Sequence, residues 1–252
     1  MNILIWNVDT QEDFIRANGA LSVPGADEII PNLARIFRTA EQNSIKILGS
    51  ADDHNDESRE FAKNGGLFPD HCKRGTTGQL HIPETILGKE RVGIVRWDKR
   101  YGERELVELF AKPQVILTKD DNDVFTSPHT EALLKTVVPN SRTYVIGVAT
   151  EYCVACAVRG LAKWIQREEN GCEVVLVTDA IKEITADGKQ KAFEEFRALR
   201  VKFATTAEAI RDIEMLTERR SGPLPIALGS RQDAVGRMVE TRTERPKGKI
   251  LR

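Results

Sequence analysis

The chain is short of the residues that mark several protein classes. It has four cysteines in 252 residues, at positions 72, 153, 156 and 172. Their spacing is not that of a disulfide scaffold, which excludes a small stapled domain and fits a reducing, cytoplasmic compartment. No apolar run reaches transmembrane length. The opening, MNILIWNVDT, carries an acid at position 9 where a signal peptide would continue its apolar core. Net charge is nearly nil, with 37 Lys+Arg against 38 Asp+Glu, so neither nucleic acid nor a membrane surface is indicated as a partner. There is no internal repeat, and histidine is scarce, with four in all. What remains is ordinary globular composition, 40% hydrophobic, in a chain long enough to bury a sizeable core.

Strand-like and helix-like segments alternate along it. The runs Asn2–Val8, Ile45–Gly49, Gln114–Thr118, Thr143–Ala149, Glu173–Thr178 and Val201–Ala204 are apolar and rich in β-branched residues, as buried strands are. Helical spacing of apolar residues covers 27–42, 104–111, 129–137, 153–164, 188–199 and 207–217. Such alternation predicts an α/β domain on a mainly parallel, six-stranded sheet. Residues 50–95 form a long polar excursion punctuated by Gly and Pro, the kind of segment that carries function. Arg219–Arg252 differs in kind. It holds nine Lys/Arg against three Asp/Glu with little periodicity, and reads as a basic tail or arm after a domain ending near residue 218.

In a doubly wound sheet, ligands bind beyond the carboxyl ends of the strands. Reactive residues fall at four such ends: Asp9, the Asp52/Asp53/His54 cluster, Lys119 and Cys153. Cys153 is placed where a strand gives way to a helix, beside unpaired amide N–H groups that favour thiolate and can hold an oxyanion. Singly, each has a plain structural reading as a cap, a solvated loop, an exposed charge or a buried thiol. Together they offer a base, a cation and a nucleophile on one rim.

These residues sit in motifs that resemble the isochorismatase-like cysteine hydrolases, and among them the nicotinamidases. VDTQEDF is similar to the family's V-D-x-Q-x-D-F, VILTK carries its lysine, and GVATEYCV resembles its G-x-A-T-x-x-C-V nucleophile motif. The resemblance covers roughly residues 2–210 and implies a three-layer α/β/α hydrolase. It implies Asp9, Lys119 and Cys153 as catalytic residues, a cis peptide at Val148–Ala149, and an oxyanion hole from the Ala149 and Cys153 amides. It also implies a divalent metal held by Asp52, His54 and His71 (from FPDHCKRGT), with Glu60 as fourth ligand and Glu57 as the alternative. Zinc is the foremost ion, iron or manganese the others. The implied activity is cleavage of nicotinamide to nicotinate and ammonia through a cysteine thioester, the alternative being another small amide or carbamoyl compound. Phe14, Trp97, Tyr101 and Phe125 are candidates for the pocket walls, and a homo-oligomer is the expected assembly. The chain departs from the family's pattern at Asp53, where an aromatic is usual and a carboxylate adds charge near the metal, and in the segment DDNDVF after Lys119. Two other classes compete. Cys153-x-x-Cys156 fits a redox dithiol but leaves Asp9 and Lys119 without a role, and a non-catalytic interaction protein leaves all three idle.

Overall fold

The computed structural model describes residues 1–137, 140–169 and 171–221. Among these residues seven strands form one sheet: β1 (Asn2–Val8), β2 (Lys46–Asp52), β3 (Val92–Val95), β4 (Gln114–Lys119), β5 (Ser141–Val148), β6 (Glu173–Lys182) and β7 (Lys202–Ala204). Their order is β3-β4-β2-β1-β5-β6-β7, and every pairing is parallel. Helices α1 (Glu12–Ile15), α2 (Ile30–Gln42), α3 (Glu103–Phe110), α4 (Thr130–Val137), α5 (Cys153–Glu168), α6 (Ala186–Ala198) and α7 (Thr206–Ser221) fill the connections.

Side chains alternate between the faces of a strand, so a sheet covered on both sides has no polar face to show. In β1, Ile3 and Ile5 join the core beneath α2 (Leu33, Ile36, Phe37) and α7 (Ala209, Ile213). Leu4, Trp6 and Val8 join the opposite core with α5 (Val154, Ala157, Val158, Leu161), α6 (Phe196) and α4 (Leu133, Leu134). This is the three-layer arrangement expected. The sheet has one strand more than the six read from the sequence. The addition, β3, is an edge strand of four residues (VGIV), with Ile94 exposed and Gly93 pressed against the Leu109 carbonyl, too short and too mixed to stand out from the polar excursion around it.

The chain builds outward from β1 in one direction through β2 and β4, then returns to lay β5 on the other side. The strand order therefore reverses between β1 and β5, which is where a crevice opens at the carboxyl ends. The two strands run unusually close there. Gly147 has φ 115°, and a Cβ on it would lie 1.9 Å from the Val8 carbonyl oxygen. Only glycine meets both conditions. The expected cis peptide is present at Val148–Ala149. At the other end of the chain, α7 runs to Ser221, past the anticipated boundary at 218. Of the basic segment, residues 222–252 lie outside the described residues.

Candidate active site

Asp9, directly after β1, has φ 46° and is fully buried. Lys119 ends β4, and the β2–β4 register pairs it with Asp52. Its ammonium lies 2.9 Å from Asp9 Oδ2, contacts Asp52 Oδ1, and points at Cys153 Sγ from 3.7 Å. Ser50 Oγ donates to Asp9 Oδ1 at 2.7 Å. Residues 110 and 34 positions apart in sequence thus converge because parallel register brings the exits of three strands together.

Charge in this buried place is set by competition. Burial opposes the charge on Lys119, but Asp52 and Asp9 outweigh it and hold its pKa well above the ordinary lysine range. Burial pushes Asp9 up despite the lysine beside it. For Cys153, burial raises the thiol pKa well above its ordinary value; Lys119 pulls it down, while Asp9 and Asp52 push it up. The helix-start position was expected to favour thiolate. In the resting arrangement the two carboxylates and the loss of water prevail, and Cys153 is a thiol that must pass its proton on during attack.

A second group stands one strand further along. One ligand atom from each of Asp52, His54, Glu60 and His71 falls within 4.8 Å of all the others. His54 Nε2 is 3.5 Å from Asp52 Oδ2 and 3.7 Å from Glu60 Oε2, and His71 Nε2 is 3.7 Å from both. Donors about 2.1 Å from a tetrahedral centre are about 3.4 Å apart, so the spacing suits one divalent ion. His54 Nε2 is buried and makes no hydrogen bond among the described residues. Burial disfavours a proton on His54, yet Asp52, Asp120 and Glu60 lift its pKa to about 9, so the carboxylates here call for a cation. An ion would meet that need and leave the imidazoles neutral. Donor set, spacing and charge fit a divalent metal. Glu57 is exposed and outside the cluster.

This second group is built by loops, with help from residues whose roles the sequence reading did not see. Gln11 holds the end of β2: its Nε2 donates to the Asp52 carbonyl at 2.9 Å and its Oε1 accepts from the Asp52 amide at 2.7 Å. Asp13 Oδ2 accepts from the Cys72 amide at 2.7 Å, fixing the turn that carries His71. Both belong to VDTQEDF, so the motif that supplies Asp9 also places two ligand loops. Asp120 Oδ1 lies 2.7 Å from His54 Nδ1.

Between the two groups is a cavity of about 210 Å³. Cys153, Ala149 and Val148 are on one side, Asp52, Glu60 and His71 on the other, and Phe14, Phe68, Tyr152 and Ile184 close it. The Thr150 amide donates to the Lys182 carbonyl, and those of Tyr152 and Val154 to the Ala149 carbonyl, which fixes the turn presenting the Ala149 and Cys153 amides. Glu151 secures Ile184, accepting from its amide at 3.1 Å.

Of the four expected walls, Phe14 lines the cavity and three do not. Phe125 packs against α5, where a Cβ on Gly160 would fall 2.0 Å from its ring. Trp97 donates its indole N–H to the Asp53 carbonyl at 3.2 Å, and Tyr101 accepts from the Arg96 amide at 2.8 Å while packing on the core. Asp53 also departs from expectation. Its carboxylate takes a two-pronged bond from Arg74 at 2.6 and 2.7 Å and a third from Gln79 at 2.6 Å, and does not line the cavity. From the altered segment after Lys119, Asn122 does line it.

Comparison with known proteins agrees with this architecture. The model of the isochorismatase domain family matches residues 3–102 and 87–208, most of the chain, and the protein belongs to that family. Within it, the chain is 26% identical over 220 residues to the nicotinamidase of Saccharomyces cerevisiae, covering 76% of this chain and 94% of that one. The pyrazinamidase of Pyrococcus horikoshii, solved in complex with zinc, superposes with a TM-score of 0.61 at 25% identity, covering 81% of this chain and 99% of the other. A structure from L. infantum in complex with nicotinate gives 0.61 at 19% identity over 82% and 94% of the two chains, a likeness of fold.

Proposed function

We propose that the protein is an amidohydrolase that cleaves nicotinamide to nicotinate and ammonia. The observation that carries this reading is a single cavity lined both by Cys153, which Asp9 and Lys119 back, and by Asp52, Glu60 and His71 of the metal-suited cluster. Cys153 Sγ attacks the amide carbonyl as Asp9 accepts the thiol proton. Lys119, charged and 3.7 Å from the sulfur, offsets the negative charge that builds there. The oxyanion takes hydrogen bonds from the Ala149 and Cys153 amides. As the C–N bond breaks, Asp9 returns its proton to the nitrogen, ammonia leaves and a thioester remains. Asp9 then deprotonates the water that hydrolyses it, which releases nicotinate and restores the thiol.

Thiol, carboxylate and amides account for the bond breaking, so the Asp52/His54/Glu60/His71 cluster serves to orient. A divalent ion there, zinc foremost with iron and manganese as alternatives, would take a pyridine nitrogen as a ligand beyond the four protein donors. Holding the ring by one end turns the carbonyl towards Cys153, a positional contribution to rate. Ammonia release by the metal-loaded protein tests the reading. Nicotinamide and pyrazinamide should be hydrolysed and benzamide, which lacks the ring nitrogen, should be far poorer. Hydrolysis of an aliphatic amide or carbamoyl compound with nicotinamide left intact would keep the chemistry and overturn the substrate.

A further inference from the structure

The two imidazoles of the metal-suited cluster are held differently. His71 Nδ1 lies 2.8 Å from the Pro69 carbonyl, within its own loop. His54 Nδ1 lies 2.7 Å from Asp120 Oδ1 and 3.0 Å from Ser58 Oγ. Asp120 comes from another strand end altogether. The register that sets Asp52 beside Lys119 puts the next residue of β4's exit against the turn after β2, and the Asp53 amide donates to the Lys119 carbonyl at 2.9 Å to lock the two exits together. A carboxylate accepts only, so the hydrogen between Asp120 and His54 is on Nδ1. In the neutral imidazole that a metal requires, the lone pair is then on Nε2, which is buried, has no hydrogen-bond partner among the described residues and faces Asp52 and Glu60.

We propose that Asp120 is a positioning residue for the metal: it fixes His54 in the Nδ1–H tautomer and presents a bare Nε2 to the ion. A carboxylate behind a ligating imidazole also makes it a stronger donor than a carbonyl does, so His54 is the firmer of the two histidine ligands. The proposal rests on the reading of this cluster as a metal site.

Cobalt binding tests it without recourse to turnover. The wild-type protein and the Asp120→Asn and Asp120→Ala variants are titrated with Co²⁺ against a competing chelator, and the visible spectrum of each complex is recorded. Asp120→Ala should weaken binding about 10–100-fold and shift the Co²⁺ bands. Asp120→Asn, whose amide oxygen still accepts from Nδ1, should recover part of that loss. Circular dichroism and urea unfolding of each metal-free variant report whether the protein has stayed folded. Two-bond ¹H–¹⁵N spectra of the zinc-loaded wild-type protein should find the His54 proton on Nδ1, a readout that needs no variant. An Asp120→Ala protein with wild-type affinity and spectrum, or a His54 proton on Nε2, overturns the role of Asp120 alone. A wild-type protein that takes up no Co²⁺ or Zn²⁺ overturns the metal site and Asp120 with it.

Discussion

The two ends of the cavity are built in opposite ways. The Cys153 end is regular structure: a four-residue turn joins β5 to α5, and its partners are Asp9, directly after β1, and Lys119, the last residue of β4, on parallel strands either side of β2. The metal-suited end is loop. Between His54 and Glu90 the chain has no strand and only short 3-10 turns, and isolated bridges such as His54↔Lys73 and Phe61↔Phe68 give it what backbone pairing it has. Its order comes from individual side-chain contacts: Gln11 on the Asp52 backbone, Asp13 on the Cys72 amide, and the Asp53 carboxylate on the Arg74 guanidinium. An end fixed by sheet register should tolerate substitution of its chemistry without losing shape, whereas an end fixed by individual polar contacts should lose shape when any one is removed.

The largest effect separates chemistry from shape. Cys153→Ala should lower turnover by on the order of 10⁴–10⁶-fold while costing under about 2 kcal/mol of stability, since it removes one sulfur from a rim and leaves the strands paired. Ammonia release and urea unfolding measure the two. A variant that unfolds outright would mean that the thiol supports the junction and not only the reaction.

His71→Ala, or chelation, attacks the other end. With the ring no longer held, kcat/KM for nicotinamide should fall on the order of 100-fold, while the rate at which iodoacetamide alkylates Cys153 in the same protein changes little. Equal losses in both assays would show the two ends to be one cooperative unit, and the contrast drawn above would fail.

A third test lies beneath both ends. His81 pairs its strand-like segment with Gln11, and its Nδ1 sits 3.3 Å from Asn7 Nδ2 and 3.0 Å from Thr10 Oγ1. Burial lowers its pKa to about 4, so the fold holds it neutral. The unfolded chain, with a histidine pKa of about 6.5, binds the extra proton between those values. Stability from this group is therefore complete above about pH 6.5 and falls as pH drops towards 4, by about 3 kcal/mol in all. Urea midpoints at pH 7 and pH 5 should differ more for the wild-type protein than for His81→Gln. The same difference in both would show that His81 is not the buried proton acceptor.

The contrast between the ends also governs what could be read before the fold was known. Asp9, Lys119 and Cys153 lie within local patterns, a strand followed by its reactive residue, and such patterns survive in one dimension. Asp52 and His54 were legible as polar residues at a strand end, but as metal ligands they, like His71, were legible only through resemblance. Their supports were not legible at all, because Asp13–Cys72, Asp53–Arg74 and His54–Asp120 are pairs separated by 59, 21 and 66 positions. Asp53 taken alone reads as an added charge near the metal; with Arg74 in view it is a neutralised clamp. The aromatic walls failed for a related reason. Trp97, Tyr101 and Phe125 follow strand ends on the correct rim, but which way a ring turns depends on the space beside it. Gly160 opens that space for Phe125 on the core side. Phe68 and Tyr152 took wall positions from inside the motifs that carry His71 and Cys153, where they stand beside residues with a clearer chemical role, and Ile184 took one from the loop after β6.

The Asp53–Arg74 clamp sharpens the comparison at smaller magnitude. Arg74 joins the turn after His71 to the Asp52–His54 turn, and it also donates to Asp98 at 2.9 Å. Removing a charge-assisted pair of this kind, with Arg74 about a third exposed, should cost about 2 kcal/mol. Asp53→Asn, Arg74→Gln and the double variant form a cycle whose coupling term isolates the pair. Metal affinity should fall with either single change. Coupling near zero would leave the backbone bridge His54↔Lys73 as the tie between the ligand loops.

The smallest effect belongs to Cys156, and it is informative because a dithiol mechanism would make it large. Cys156 lies one turn into α5, partly buried, with Arg159 Nη1 3.8 Å from its sulfur. Burial raises its pKa and Asp123 adds to the rise, against Arg159, so it is a poor source of thiolate at neutral pH. It does not line the cavity that Cys153 faces. Cys156→Ala should therefore change stability by less than about 1 kcal/mol and leave ammonia release close to wild type. In the metal-free protein, iodoacetamide should still label Cys153 at its usual rate. If Cys156→Ala were instead as inactive as Cys153→Ala, with activity restored by added thiol, the Cys-x-x-Cys pair would be a redox couple. Asp9 and Lys119 would then be supports for a disulfide, and the hydrolytic reading of this end of the cavity would have to be given up.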